Sequence, residues 1–188
     1  GVAAFYTVRI IVVKRRIGVS PVFDGQLGTL HWATHTSFRV FRVMILGVCL
    51  IRLMWHDLDN YLIPFYALWH PLVLIAGCGL LLASFSAVIG IHFYMGKNWR
   101  SGSRVEDQTR LITTGPFSYS RNPMMLCVVT GQIGLFLALP SVFTLVCLVV
   151  GVWAVTAQVG VEEQRLRQRF GGAYDAYRSH TPRWLGFR

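Results

Sequence analysis

A polar, turn-rich segment interrupts the apolar second half of the chain at 115–123, with the sequence G-P-F-S-Y-S-R-N-P. It offers aromatic rings, hydroxyl groups, the guanidinium of Arg121 and the amide of Asn122, which suit stacking, charge pairing and hydrogen bonding with a polar ligand. Pro116 and Pro123 lack a backbone N–H and disfavour helix in the residue before them, while Gly115 can take angles closed to other residues. We therefore expect an ordered turn that forms half of a cofactor site.

The other half of the site is expected where the charged stretch E-E-Q-R-L-R-Q-R-F begins, at 162–170. The carboxylate of Glu162 can bind an ammonium group or ribose hydroxyls. Gln158 lies four residues earlier and would share its helical face, so the two could act together. Alternatively, Glu162 and Glu163 could only complement the dipole at the start of a helix, and Arg121 could be a headgroup anchor.

The composition of the chain is that of a membrane protein. Of 188 residues, 54% are hydrophobic and only 14% are charged, whereas a soluble domain normally has about 25% charged residues. We expect an all-α integral membrane bundle in one domain, 1–188, with N-terminal helices in 1–95 and the cofactor loop, a hairpin and a tail in 96–188. The net charge of +10 then reflects cytoplasmic loops and contact with anionic lipid, and no nucleic-acid partner is expected.

Apolar runs predict about five transmembrane helices. The small residues of the third run, among them Gly77, Ser84 and Gly90, predict a face for close helix packing. Only Pro140 and Ser141 separate the last two runs, so these must form an antiparallel hairpin. The five runs are Val2–Val13, which is short for a span, Phe38–Trp55, Leu68–Met95, Met124–Leu139 and Val142–Val159.

The basic residues predict the orientation of the bundle. Most of the 18 Lys and Arg residues lie around the 14–39 loop, in the 96–123 loop and in the tail after Gln158. Five spans would place these three regions on one side, which the positive-inside rule assigns to the cytoplasm. We therefore expect the long loop and the C-terminal tail to meet at the cytoplasmic face of a bacterial inner membrane.

Three pieces of sequence together resemble the membrane methyltransferase family that includes isoprenylcysteine carboxyl methyltransferase, with its bacterial branch. They are R-L-I-T-T-G-P-F-S-Y-S-R-N-P-M-M at 110–125, the apolar hairpin, and E-E-Q-R-L-R-Q-R-F-G-G-A-Y-D-A-Y at 162–177 followed by P-R-W-L. The resemblance implies a site for S-adenosyl-L-methionine built without a dinucleotide-binding domain. It also implies methyl transfer to a lipophilic small molecule or a lipidated acceptor among membrane lipids.

The resemblance and the chemistry of the side chains together indicate which residues form the site. Gln158 stands where the family has an arginine that binds the substrate carboxylate. Arg121, Asn122 and Glu162 are the expected catalytic residues, and Arg110 or Arg121 would pair the cofactor carboxylate. Rings at Phe117 and Tyr119 would face the sulfonium or the adenine. The full set of expected cofactor contacts is Thr109, Arg110, Leu111, Ile112, Gly115, Phe117, Tyr119, Asn122, Pro123, Met124, Met125 and Glu162.

Several positions depart from the family pattern and leave the acceptor open. Asn122 replaces a His, Met125 and Phe117 each replace a Tyr, and Gln158 replaces the Arg. An isoprenylcysteine-like carboxylate, a phospholipid amine and a small thiol are the candidate acceptors. An NADPH-dependent relative of the sterol reductases and a non-enzymatic membrane scaffold are the alternatives from other classes. No cluster of His, Cys and Asp residues suggests a metal, and none is expected.

Overall fold

The computed structural model describes residues 30–55, 57–96 and 110–186. The first expected span, at 2–13, and the expected cofactor contact Thr109 lie outside these residues. The described residues confirm the all-α class expected from the sequence. Their helices are α1 (Leu30–Met54), α2 (Leu58–Tyr61), a 3₁₀ turn (Tyr66–Leu68), α3 (Pro71–Met95), α4 (Pro116–Tyr119), α5 (Pro123–Ala138), α6 (Val142–Phe170) and α7 (Gly172–His180).

Two of the described helices, α3 and α6, are long and apolar enough to cross a membrane, and α5 is a shorter apolar helix. Only 17% of the apolar window of α3 is buried inside the protein. Large apolar side chains are also exposed on α1, including Val43 and Leu53. An outward-facing apolar surface of this extent is what a helical bundle presents to lipid, in agreement with the expected membrane bundle.

Close packing of α3 against α5 depends on glycine. A Cβ atom at Gly77 would overlap the backbone nitrogen of Ala138, and one at Gly134 would lie 2.8 Å from the backbone nitrogen of Leu81. Ser84 strengthens the contact by donating a hydrogen bond to the carbonyl of Cys127. The small-residue face predicted for the third span is therefore used on this side, whereas at Gly90 no atom of the described ranges lies within 4 Å of the position of a Cβ.

The predicted hairpin is formed by α5 and α6, with Pro140 and Ser141 between them. Ser141 caps α6, because its hydroxyl accepts a hydrogen bond from the N–H of Thr144 while the hydroxyl of Thr144 accepts one from the N–H of Ser141. The N–H of Phe65 donates to the carbonyl of Pro140 at 2.9 Å. This turn is therefore fixed to the segment that leads into α3, at one end of the bundle.

The fifth span and the charged stretch form a single helix, which corrects the expectation of a separate charged tail helix. α6 has 29 residues, so at about 1.5 Å per residue it is roughly 43 Å long and exceeds a hydrocarbon core of about 30 Å. Its first residue is Val142, far from Glu162 and Glu163. The alternative that these carboxylates complement the dipole at a helix start is therefore wrong.

Candidate functional site

One face of α6 brings a carboxylate into the protein interior. Val155, Val159 and Glu163 follow one another at intervals of four residues, and they are 0%, 1% and 7% exposed. Residues four apart lie on the same face of a helix. The buried face of α6 therefore carries apolar side chains first and then the carboxylate of Glu163. A buried carboxylate is costly unless it is paired and hydrogen-bonded, and the groups around Glu163 supply that pairing.

Among the described residues, three side chains meet the carboxylate of Glu163, and we call these four residues the Glu163 cluster. Asn122 donates from Nδ2 to Oε1 at 3.2 Å, and Nη2 of Arg121 lies 3.5 Å from the same oxygen. Arg183 donates to Oε2 from Nε at 3.1 Å and from Nη2 at 2.8 Å. Two guanidinium groups thus face one carboxylate, and the charge of these four side chains sums to a positive value.

The backbone before α5 positions Arg121 and Asn122. Pro123 occupies the first turn of α5, and the hydroxyl of Ser120 accepts a hydrogen bond from the N–H of Asn122 at 3.1 Å. The N–H of Arg121 donates to the carbonyl of Pro182 at 2.9 Å. The segment before α5 and the segment after α7, distant in sequence, therefore lie side by side over the C-terminal part of α6.

The guanidinium of Arg121 is buried, but only part of it is paired. Its side chain is 8% exposed, and its Nε and Nη1 atoms have no hydrogen-bond partner within the described ranges. The hydroxyl of Tyr174, on α7, is also buried without such a partner. Burial first, and the nearby Glu163 carboxylate second, raise the pKa of Tyr174, while the adjacent guanidinium of Arg121 lowers it, so the two groups are neighbours without a well-aligned hydrogen bond. Buried donors without acceptors are rare in native proteins and call for an explanation.

The turn at 115–119 is held from two sides. Gly115 has a φ of +61°, and a Cβ there would lie 2.6 Å from the ring of Tyr94, so this position requires glycine. The hydroxyl of Tyr177 donates to the carbonyl of Phe117 at 2.6 Å. Burial, with a smaller contribution from Tyr174, raises the pKa of Tyr177 to about 12. The phenol therefore stays protonated and keeps donating at neutral pH.

The other expected site residues lie at various depths around this turn. Arg110 is exposed, and Tyr119 is 64% exposed. Gln158 is buried, one helical turn before the half-buried Glu162. Pro123 is buried, and the half-buried members of the expected set are Leu111, Ile112, Phe117, Met124 and Met125.

The structure brings the expected Arg121 and Asn122 together, but the carboxylate they contact is Glu163 rather than the expected Glu162. The buried positions Val155 and Val159 lead to a buried position at 163, but the buried Gln158 leads equally to 162, so spacing alone does not decide between the two carboxylates. Other members of the surroundings were also missed. Nothing in the spacing of four residues in the quoted motifs predicted a role for them. They are Ser120, Tyr174, Tyr177 and Arg183.

Comparison with known proteins agrees with this architecture. A family model described as phospholipid methyltransferase matches residues 72–173, which is more than half of the chain. The matched region runs from α3 to the first turn of α7 and contains Arg121, Asn122 and Glu163. No curated protein and no solved structure matches the chain significantly. The matched family is part of the isoprenylcysteine carboxyl methyltransferase-like group, which confirms the resemblance seen in the sequence. The chain therefore belongs to the phospholipid methyltransferase family and is a membrane methyltransferase.

Proposed function

We propose that this methyltransferase binds S-adenosyl-L-methionine at the Glu163 cluster and transfers its methyl group to a lipophilic acceptor in the membrane. The observation that carries the proposal is the buried carboxylate of Glu163, held between Asn122 and two arginines. Charged clusters of this kind are expensive to bury. A zwitterionic ligand that uses both signs of charge gives such a cluster a purpose beyond stability.

The charges of the cluster fit the amino-acid end of the cofactor. The carboxylate of Glu163 suits an ammonium group. Nε and Nη1 of Arg121, which are buried and unpartnered within the described residues, suit a carboxylate, because a guanidinium presents its N–H groups in the fork that a carboxylate accepts. The ammonium and the carboxylate of the ligand would thus each contact a group of opposite charge in the Glu163 cluster.

The nucleoside end would lie along the turn at 115–119. The rings of Phe117 and Tyr119 offer faces to a cation or to adenine, and backbone N–H groups near Gly115 can donate to ring nitrogens. The constraint that Tyr94 and Tyr177 place on this turn would keep these groups in position. Arg110, Leu111, Ile112, Pro123, Met124 and Met125 remain proposed contacts of the same ligand.

Methyl transfer makes modest demands on the protein. When bound, the cofactor would supply a methyl group on a positively charged sulfur. The acceptor's lone pair bonds to the methyl carbon as the carbon–sulfur bond breaks, the sulfur leaves as a neutral thioether, and an amine acceptor releases one proton. The residues of the chain have to align the acceptor with that methyl group and exclude water. The apolar helices can admit a lipid acceptor from the bilayer, while the basic end of α6 and α7 would face the cytoplasm under the positive-inside rule.

We favour a lipid amine as the acceptor over an isoprenylcysteine-like carboxylate. The family model is described as phospholipid methyltransferase. Gln158, buried and neutral, occupies the position where the resemblance places an arginine for the substrate carboxylate, and an amide cannot neutralise that charge. The carboxylate acceptor is the second candidate because the three sequence motifs resemble the enzymes that use it.

Calorimetry and a methyl-transfer assay test the proposal in two steps. Purified protein in lipid nanodiscs is titrated with S-adenosyl-L-methionine, S-adenosylhomocysteine and NADPH. We expect the two sulfur nucleosides to bind and NADPH not to bind; failure of both sulfur nucleosides to bind would reject the proposed site. Radiolabelled methyl is then followed into phosphatidylethanolamine, farnesylcysteine and a small thiol. Labelling of farnesylcysteine alone would reverse our choice of acceptor.

A further inference from the structure

Arg183 reaches the Glu163 carboxylate from the protein surface. Its side chain is 45% exposed, whereas that of Glu163 is 9% exposed. Arg183 lies after α7, outside the region that the family model matches. Its hydrogen bonds to Glu163, followed by the attraction of that carboxylate, raise the pKa of Arg183. A fully charged group that remains half in solvent thus neutralises a charge in the protein interior.

The two carboxylate oxygens of Glu163 have different partners. Oε1 receives the amide of Asn122 and the buried guanidinium of Arg121. Both hydrogen bonds recorded for Oε2 come from Arg183. Oε2 is therefore the oxygen paired with the half-exposed Arg183, and a second cation could bind it fully only by displacing that guanidinium.

The backbone around Arg183 is held independently of its side chain. The N–H of Arg121 donates to the carbonyl of Pro182 at 2.9 Å. The carbonyl of Arg183 accepts hydrogen bonds from Oγ of Ser120 and Nδ2 of Asn122, both at 3.3 Å. The guanidinium could therefore turn into solvent while the segment at 182–183 stays docked.

We propose that Arg183 is an internal competitor for the ligand, occupying on Glu163 the place that the ammonium of the cofactor's amino-acid end takes when it binds. This inference rests on the proposed function. The guanidinium and the ammonium are both cationic donors, and Oε2 cannot serve both fully. Without such a counter-charge, the buried carboxylate would be only partly compensated by Arg121 at 3.5 Å. Arg183 thus stabilises the carboxylate in the free protein. While Arg183 is paired with Glu163 the site cannot bind the ligand, so the apparent affinity for the ligand is lower.

The competing role for Arg183 is a direct contact with the cofactor carboxylate, and the two roles predict opposite results for Arg183→Gln. Competition predicts that S-adenosylhomocysteine binds about two- to sixfold more tightly to this variant, because the competent fraction rises by what a half-exposed ion pair allows. 5′-Methylthioadenosine, which lacks the amino-acid end, should bind equally well to both proteins. Arg183→Lys keeps the charge and should bind S-adenosylhomocysteine with an affinity nearer to that of the wild type.

The measurement is calorimetry in nanodiscs, with Arg178→Gln as the matched control. Arg178 is exposed on α7, so its replacement makes the same change of charge and should leave both affinities unaltered. Weaker or unchanged binding of S-adenosylhomocysteine to Arg183→Gln, with 5′-methylthioadenosine bound normally, would overturn the competitor role and leave the proposed site standing. If neither nucleoside binds to any of the proteins, the proposed function fails, and this inference fails with it.

Chemical labelling of the wild-type protein gives a second test. Phenylglyoxal modifies accessible guanidinium groups, and mass spectrometry can follow Arg183 and Arg178 in one sample. We expect S-adenosylhomocysteine to increase the modification of Arg183 while that of Arg178 stays constant, and 5′-methylthioadenosine to change neither. Protection of Arg183 by S-adenosylhomocysteine would show that the arginine stays in the site and would refute displacement.

Discussion

Replacing Glu163 by glutamine removes the negative charge of the cluster while keeping the shape of the side chain. The amide oxygen of the glutamine can still accept one hydrogen bond, but its NH₂ group must then face a donor. That donor is either Nδ2 of Asn122 or the guanidinium of Arg183, depending on how the amide is oriented. The guanidinium of Arg121, only 8% exposed, is left without a counter-charge in either case.

The size of the effect follows from the burial of each partner. Removing one member of a buried ion pair costs about 3–5 kcal/mol. The pair with Arg183 is 45% exposed on the arginine side and contributes only about 0.2–1 kcal/mol. Because the amide recovers one hydrogen bond worth about 1 kcal/mol, we expect a net loss of roughly 2–4 kcal/mol in the free energy of unfolding. Loss of a charge-assisted hydrogen bond to the ligand should also weaken binding by about tenfold to a hundredfold.

Thermal unfolding in detergent and calorimetry with S-adenosylhomocysteine measure the two effects. The matched control is Glu162→Gln, which makes the same change of charge one residue away at a half-buried position. We expect the control to reduce stability less than Glu163→Gln does, because Glu162 is only half-buried, and to retain the ligand. Loss of binding in Glu162→Gln with normal binding in Glu163→Gln would refute our assignment and return the site to Glu162. Normal binding in both variants would show that the cluster has a structural role only.

Three further changes test other parts of the structure. Gln158→Ala should lower turnover of the acceptor more than affinity for the cofactor in steady-state kinetics; the reverse would place Gln158 in the cofactor site. The pKa of Tyr177 is raised from 10.0 to about 12, so its stabilising contribution is complete below pH 10 and is lost as the pH rises through 12. Unfolding scans from pH 9 to 12 should therefore show a steeper loss of stability for the wild type than for Tyr177→Phe, and parallel curves would contradict this. Gly77→Ala should lower the melting temperature by several degrees because its Cβ meets backbone atoms of α5, whereas Gly79→Ala, with nothing within 4 Å, should not; equal effects would refute the packing argument.

Much of the helical plan could be predicted from composition and spacing. The apolar runs gave α3, α5 and α6 near their observed positions, and Pro140 with Ser141 gave the hairpin turn. The continuity of α6 was harder to foresee because the chain changes from apolar to charged residues near Glu162. That change reflects the environment outside the helix, since backbone hydrogen bonding continues unaltered to Phe170.

The partners within the site could be predicted only in part. The resemblance pointed to Asn122 and the chemistry of its guanidinium pointed to Arg121, and the structure brings both to α6. The choice between Glu162 and Glu163 depends on which face of α6 packs inward, and Gln158 and Val159 are both buried, so the local pattern favours neither carboxylate strongly. Arg183 could not be assigned from sequence, because its contact with Glu163 depends on how the segment after α7 folds back.

The glycine-lined contact between α3 and α5 restricts how a lipid could reach the polar cluster. At Gly77 and Gly134 the two backbones are too close to admit even one additional methyl group. A contact that close leaves no passage for an acyl chain. A hydrocarbon tail diffusing in the plane of the bilayer must therefore approach along another flank of the protein, because two residues without side chains close this one.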